Sequence, residues 1–156
     1  MPATISEGDR APAFKLAREG GELTTLASLK GKKVVLYFYP KDDTSGCTKE
    51  AIAFNALRKD FDSVGAVILG VSPDSLESHA KFSKKYKLDL ILLSDQTKAM
   101  LEAYGVWVEK SMYGRKYMGV ERTTVLIDER GKIARIWNKV KVDGHAEQVL
   151  QATQAI

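Results

Sequence analysis

Apolar positions along this chain fall into two kinds of run: short uninterrupted ones, and longer ones whose apolar residues recur every three or four positions. Val34-Val35-Leu36-Tyr37-Phe38-Tyr39 and Ala66-Val67-Ile68-Leu69-Gly70-Val71 are of the first kind, as expected of strands covered on both faces. Lys33 to Tyr39 should be a central strand. From Cys47 to Phe61, the residues Ala51, Phe54, Ala56, Leu57 and Phe61 recur at helical spacing, leaving Lys49, Arg58 and Lys59 to face water. The two strands and the helix between them make a β-α-β unit, and Ser72-Pro73-Asp74-Ser75 is a start signal for a helix running on to about Lys87. Leu90 to Leu93 predicts a third strand and Thr97 to Tyr104 a short helix. Thr123 to Ile127 with Lys132 to Trp137 predicts a hairpin around Asp128-Glu129-Arg130-Gly131, and Asp143 to Thr153 a closing helix. Ahead of the core, Glu19-Gly20-Gly21-Glu22 predicts a turn between two short strands, an N-terminal β-hairpin, and Leu26 to Leu29 a helical turn.

Strands alternating with helices in the first half and a hairpin in the second imply an α/β chain with a mixed central β-sheet flanked by helices, the plan of the thioredoxin-like fold. The 156 residues, 44% hydrophobic, suit one domain over 1–156 with a full core. The 24 Lys and Arg against 20 Asp and Glu leave +4, spread along the chain. Even Arg130 to Lys141 reads as a strand with a solvated face, so no nucleic-acid partner is expected. No apolar run approaches the roughly 20 residues that cross a bilayer. Met1 to Glu7 lacks the apolar segment of a secretory signal, and a lone cysteine forms no internal disulfide, so a cytoplasmic setting is expected. His79 and His145 lie in no cluster of ligand spacing, which predicts exposed helix positions for both and neither metal nor cofactor.

The one cysteine, Cys47, changes this picture. Pro40 ends an apolar strand, and the Thr44-Ser45-Gly46 turn leads into a helix, so the thiol sits at a strand-to-helix corner. An unperturbed thiol has a pKa of about 8.5. A helix N-terminus lowers that value through its partial positive charge and free first-turn N–H groups. Gly46 suits close backbone approach to a ligand, and Thr44 offers a hydroxyl to whatever the sulfur attacks. Free cysteines are more often small core hydrophobes. Here the polar neighbours Asp42, Asp43, Thr44, Ser45, Thr48 and Lys49 place the loop and its thiol near solvent.

Pro40-x-x-x-Thr44-x-x-Cys47 resembles the peroxiredoxin active-site motif, and Tyr37 to Ala51 is similar to the bacterioferritin comigratory protein, or Q-type, branch. The resemblance extends through Gly8 to Phe14, Gly70 to Asp74, Leu93 to Asp95 and Tyr113 to Asp128. It implies a thiol-dependent peroxidase that reduces hydrogen peroxide and alkyl hydroperoxides through a sulfenic acid on Cys47. Carried over by motif, Thr44 hydrogen-bonds the peroxide, Pro40 shields the forming sulfenic acid from solvent, and Arg122 arrives from the distant hairpin to support charge on sulfur; Pro40 and Gly46 are the expected substrate-pocket residues. Glu50 is left between capping the helix and orienting Arg122. The implied reductant is thioredoxin or another thiol, and a monomer is expected. A redox-dependent interaction or chaperone-like protein of the same fold is the alternative.

Two departures matter. Many members of the branch carry a second, resolving cysteine, where this chain has Ile52, read as helix core, and Ser83. Either the chain works naturally with one cysteine, or Ser83 replaces a cysteine removed to halt the cycle after oxidation. In both cases an external thiol or another chain must reduce the sulfenic acid. Ser45 also stands where the branch often has Pro, so the loop gives up a fixed φ.

Overall fold

The computed structural model describes residues 5–156; the reading of the leading segment falls partly on 1–4, outside the described residues. The elements in chain order are β1 (Lys15–Arg18), β2 (Leu23–Thr25), a 3-10 turn (Ala27–Leu29), β3 (Lys33–Phe38), α1 (Ser45–Ala56), α2 (Arg58–Ser63) and β4 (Ala66–Ser72). There follow α3 (Leu76–Tyr86), β5 (Ile91–Ser94), α4 (Ala99–Ala103), β6 (Trp107–Met112), β7 (Arg115–Val120), β8 (Thr123–Ile127), β9 (Ile133–Trp137) and α5 (His145–Gln154).

Seven strands form one sheet in the order β2-β1-β5-β4-β3-β8-β9. β3 pairs parallel with β4 and antiparallel with β8, so it lies mid-sheet, and every residue of it is buried. β4 and β5 are also parallel, while the N-terminal hairpin β1–β2 joins antiparallel to β5. Alternation along β3 sends Val34, Leu36 and Phe38 into one cluster with Met100 and Leu101 of α4 and Tyr104 just after it. It sends Val35, Tyr37 and Tyr39 into another, with Phe54, Phe61, Phe82 and Val149 from the other helices. Tyr37 stacks on Phe54 at 4.8 Å between centroids. A Cβ on Gly70 would stand 2.7 Å from the Tyr37 ring, so the neighbouring strand must carry glycine there. No helix among the described residues is long and apolar enough to cross a membrane.

Two expectations about this framework are corrected, and one hairpin is added. The helix expected from Cys47 to Phe61 is two helices, parted at Leu57, whose φ of −100° and ψ of 4° lie outside the helical basin. Ile52, read as helix core, is 46% exposed, because the buried stripe of α1 is Cys47, Glu50, Ala51 and Phe54. β6 and β7 went unread as strands. Among the described residues they pair only with each other, around a two-residue turn in which Tyr113 (φ 51°) and Gly114 (φ 78°) both take positive φ. Apart from Val120, this hairpin is exposed or half-buried, so no buried apolar run marks it in the sequence.

Candidate active site

β3 ends at Phe38, and Tyr39 extends its pairing by one bond to Val71 before the half-buried Pro40, which has no N–H to continue it. The chain turns through Lys41, Asp42 and Asp43, the last at φ 58°, and enters α1 at Ser45 with Thr44 as N-cap. The first helical bond runs from the Thr48 N–H to the Thr44 carbonyl, 2.8 Å, so the N–H groups of Ser45, Gly46 and Cys47 precede the helix's own ladder. Thr44 makes no side-chain cap bond. Its hydroxyl donates to the Lys41 carbonyl at 2.8 Å, which leaves the oxygen's lone pairs available to accept from a ligand.

Cys47 is 1% exposed, contrary to the expectation from its polar neighbours. Asp42 is buried as well. Lys41, Asp43, Thr44 and Ser45 are exposed, so the loop does lie at the surface as expected, and it is the thiol that turns inward. The signal was in the spacing: Cys47, Glu50, Ala51 and Phe54 stand at i, i+3, i+4 and i+7, so the thiol and a carboxyl share the core-facing stripe of α1.

Arg122, between β7 and β8, closes this stripe from above. Its Nη2 donates to the Cys47 sulfur at 3.3 Å across 75 positions of sequence, and its Nη1 donates to Glu50 Oε1 at 2.6 Å. A Cβ on Gly46 would meet Nη2 at 3.2 Å, so glycine is what admits the guanidinium to the first turn. Glu50 thus orients Arg122 and does not cap α1. Burial pushes the Glu50 carboxyl up to about 7 against the pull of Arg122, and its Oε2 has no partner among the described residues. Burial opposes the charge of Arg122, but Glu50 and Cys47 outweigh it and hold the guanidinium protonated. A fixed cation bridges one buried sulfur and one buried carboxyl, an arrangement that receives negative charge on sulfur without reorganisation.

The histidines are where sequence reasoning failed most. Both are buried. His145 opens α5 with Nε2 at 2.8 Å from the Thr124 hydroxyl, packed edge-on against Phe54 and Trp137, and burial with nearby Arg122 lowers it to about 4. His79 gathers with Asp42 and Asp74, ligand atoms within 4.8 Å of one another, although the sequence showed no such cluster. Nδ1 lies 2.7 Å from Asp42 Oδ2 and Nε2 lies 2.9 Å from the Leu93 carbonyl, while Asp74 Oδ2 accepts from the Asp42 N–H and the Ser72 hydroxyl. Ser83 is half-buried in α3, along a groove it shares with Arg18, Glu19 and Leu90 to Leu92.

The profile of the AhpC/TSA family matches residues 7–136. A putative peroxiredoxin Bcp of Coxiella burnetii is 52% identical over 94% of this chain and 97% of that protein. Peroxiredoxin Bcp of Bacillus subtilis is 47% identical over 95% and 94%. Among solved structures, peroxiredoxin Q of Xanthomonas campestris superposes with a TM-score of 0.87 at 47% identity, covering 91% of this chain and 90% of that one. The Xanthomonas protein is described, as bacterioferritin comigratory protein, for its alkyl peroxide reduction activity. It has also been solved with each of two cysteines replaced by serine, and those two stand as far apart in its sequence as Cys47 and Ser83 do here.

Proposed function

This chain belongs to the AhpC/TSA family and is a peroxiredoxin of the Bcp branch, a peroxidase that acts with a thiol reductant, and we propose that its chemistry is carried by Cys47, Thr44 and Arg122. The Cys47 thiolate attacks one oxygen of the peroxide, the O–O bond breaks, and the other oxygen leaves as water or alcohol after taking a proton. Sulfur is oxidised by two electrons to sulfenic acid. Arg122 donates to sulfur and to the oxygen that gathers charge. Thr44 accepts the peroxide O–H with the lone pairs that its bond to Lys41 leaves free. Gly46 gives the peroxide close access to first-turn N–H groups, and Pro40 shields the product from solvent. Hydrogen peroxide and alkyl hydroperoxides are the substrates.

Ser83 stands at the resolving position and holds no thiol. Two equivalents of an external thiol, thioredoxin or another, therefore return the sulfenic acid to thiol, releasing water and a disulfide. The chain works as a monomer in the cytoplasm, with 1–156 as one thioredoxin-like domain. The observation that carries this reading is the 3.3 Å bond from Arg122 to the only sulfur nucleophile, between residues the sequence holds far apart. Peroxide consumption with excess thiol, compared between wild type and Cys47→Ser, tests it. Loss in the variant is expected, with a dimedone adduct on Cys47 of the peroxide-treated wild type. Equal consumption, or an unmodified Cys47, overturns it.

A further inference from the structure

The peroxidase chemistry above makes no use of His79, although it is wholly buried and both its ring nitrogens have fixed partners. The Leu93 carbonyl can only accept, so Nε2 carries a proton. Asp42 Oδ2 accepts from the Ser78 hydroxyl at 2.8 Å and Oδ1 accepts from the Tyr39 hydroxyl at 2.7 Å, the partner set of an ionised carboxylate. Nδ1 therefore donates to it as well. An imidazole that donates from both nitrogens is the cation. Burial opposes that charge, but the bond to Asp42, its negative charge, the Leu93 carbonyl and Asp74 favour it, and the net direction is upward. The titratable and polar groups facing the ring come from the residue after β3 (Tyr39), the loop (Asp42), the segment after β4 (Asp74) and β5 (Leu93).

The pair has a place as well as a charge. Asp42 belongs to the loop that sets Thr44 and Gly46, and His79 to α3, which carries Ser83. The next loop residue, Asp43, is bound by Lys85 Nζ at 2.7 Å and by the Tyr86 hydroxyl at 2.5 Å, both from the last turn of the same helix. Two consecutive loop residues are thus tied to the two ends of α3, one tie buried and the other exposed.

We propose that the Asp42–His79 ion pair is a positioning latch of the peroxidase site, which fastens the loop 40–44 to α3, keeps the Cys47 sulfur enclosed, and must break before either segment moves outward. The inference rests on the peroxidase reading, and its tests separate the two. Nitrogen-15 spectra of the reduced full chain at pH 7.5 should show both ring nitrogens of His79 protonated, with neutral His145 as the contrast. A singly protonated His79 overturns the latch. Because Cys47 is 1% exposed, its alkylation by iodoacetamide reports opening. His79→Gln and Asp42→Asn should each speed alkylation about tenfold or more, with little further gain in the double variant, under conditions where urea titration shows all of them folded. Wild-type rates in the single variants, or fully additive gains, overturn it. Peroxide that fails to oxidise wild-type Cys47 would defeat the peroxidase reading while leaving the protonation and alkylation results to stand for the pair itself.

Discussion

Arg122–Glu50 and His79–Asp42 both join the segment 40–50 to distant chain through buried ion pairs, yet one is left short of partners and the other is saturated. Beside Cys47, Glu50 Oε2 has no partner among the described residues, and Arg122 divides its donors between a carboxyl and a sulfur. Around His79, both ring nitrogens and both carboxylate oxygens of Asp42 are matched. An incompletely matched charge can respond to an incoming peroxide. A fully matched one can only hold. The same type of interaction therefore serves reaction on one side of the loop and position on the other.

The largest expected effect breaks the reactive side. Arg122→Ala removes a preorganised donor from the reacting sulfur and should lower the second-order rate of Cys47 oxidation by about 10²–10³-fold, measured by stopped-flow fluorescence. Next comes the holding side. His79→Gln leaves Asp42 charged and buried without its partner and should destabilise the chain by about 3–5 kcal/mol in urea titration. The two sides should also differ in how pH acts on them. Glu50 has a folded pKa raised from 4.5 to about 7, so its stabilisation is complete below about pH 4.5 and is lost as pH rises toward 7. Glu50→Gln should therefore gain stability over wild type across that window, by on the order of 3 kcal/mol at its end, and the difference should stay flat above it. His145, lowered to about 4, works in the opposite sense and gives up stability as pH falls from its ordinary 6.5 through 4.

A subtler change sharpens the contrast. Gly46→Ala places a methyl 3.2 Å from Arg122 Nη2, and the guanidinium can yield by a few tenths of an ångström. Oxidation should slow measurably while the urea midpoint stays put, because the helix itself tolerates alanine. The smallest effect belongs to the exposed tie. Lys85→Ala removes an ion pair open to solvent and should leave the urea midpoint unresolved from wild type.

How far the sequence foretold these regions follows from the kind of signal each leaves. β3 and β4 are unbroken apolar runs, and α3 begins at a Ser75 whose side chain accepts from the Ser78 N–H, so their positions were legible to within a residue or two. Cys47, Thr44 and Gly46 were found from a polar turn and a resemblance. The depth of Cys47 is written in the i+3, i+4, i+7 stripe of α1, a signal that its polar near neighbours mask. Glu50 was left open and Arg122 placed only by resemblance, since nothing local in the chain shows that residues 72 positions apart meet at 2.6 Å. His79 fared worst. Its partners come from β5, the loop after β3 and the segment after β4, and a helical histidine flanked by Ser78 and Ala80 shows none of them.

A sulfur enclosed to 1% exposure imposes a size filter on whatever must reach it, and the surface of a reducing protein is the largest body it meets. Regeneration by a protein thiol therefore waits on a rarer, opened shape. Under a burst of oxidant the spent form should accumulate and persist, so the molecule keeps a short record of the exposure it has just met.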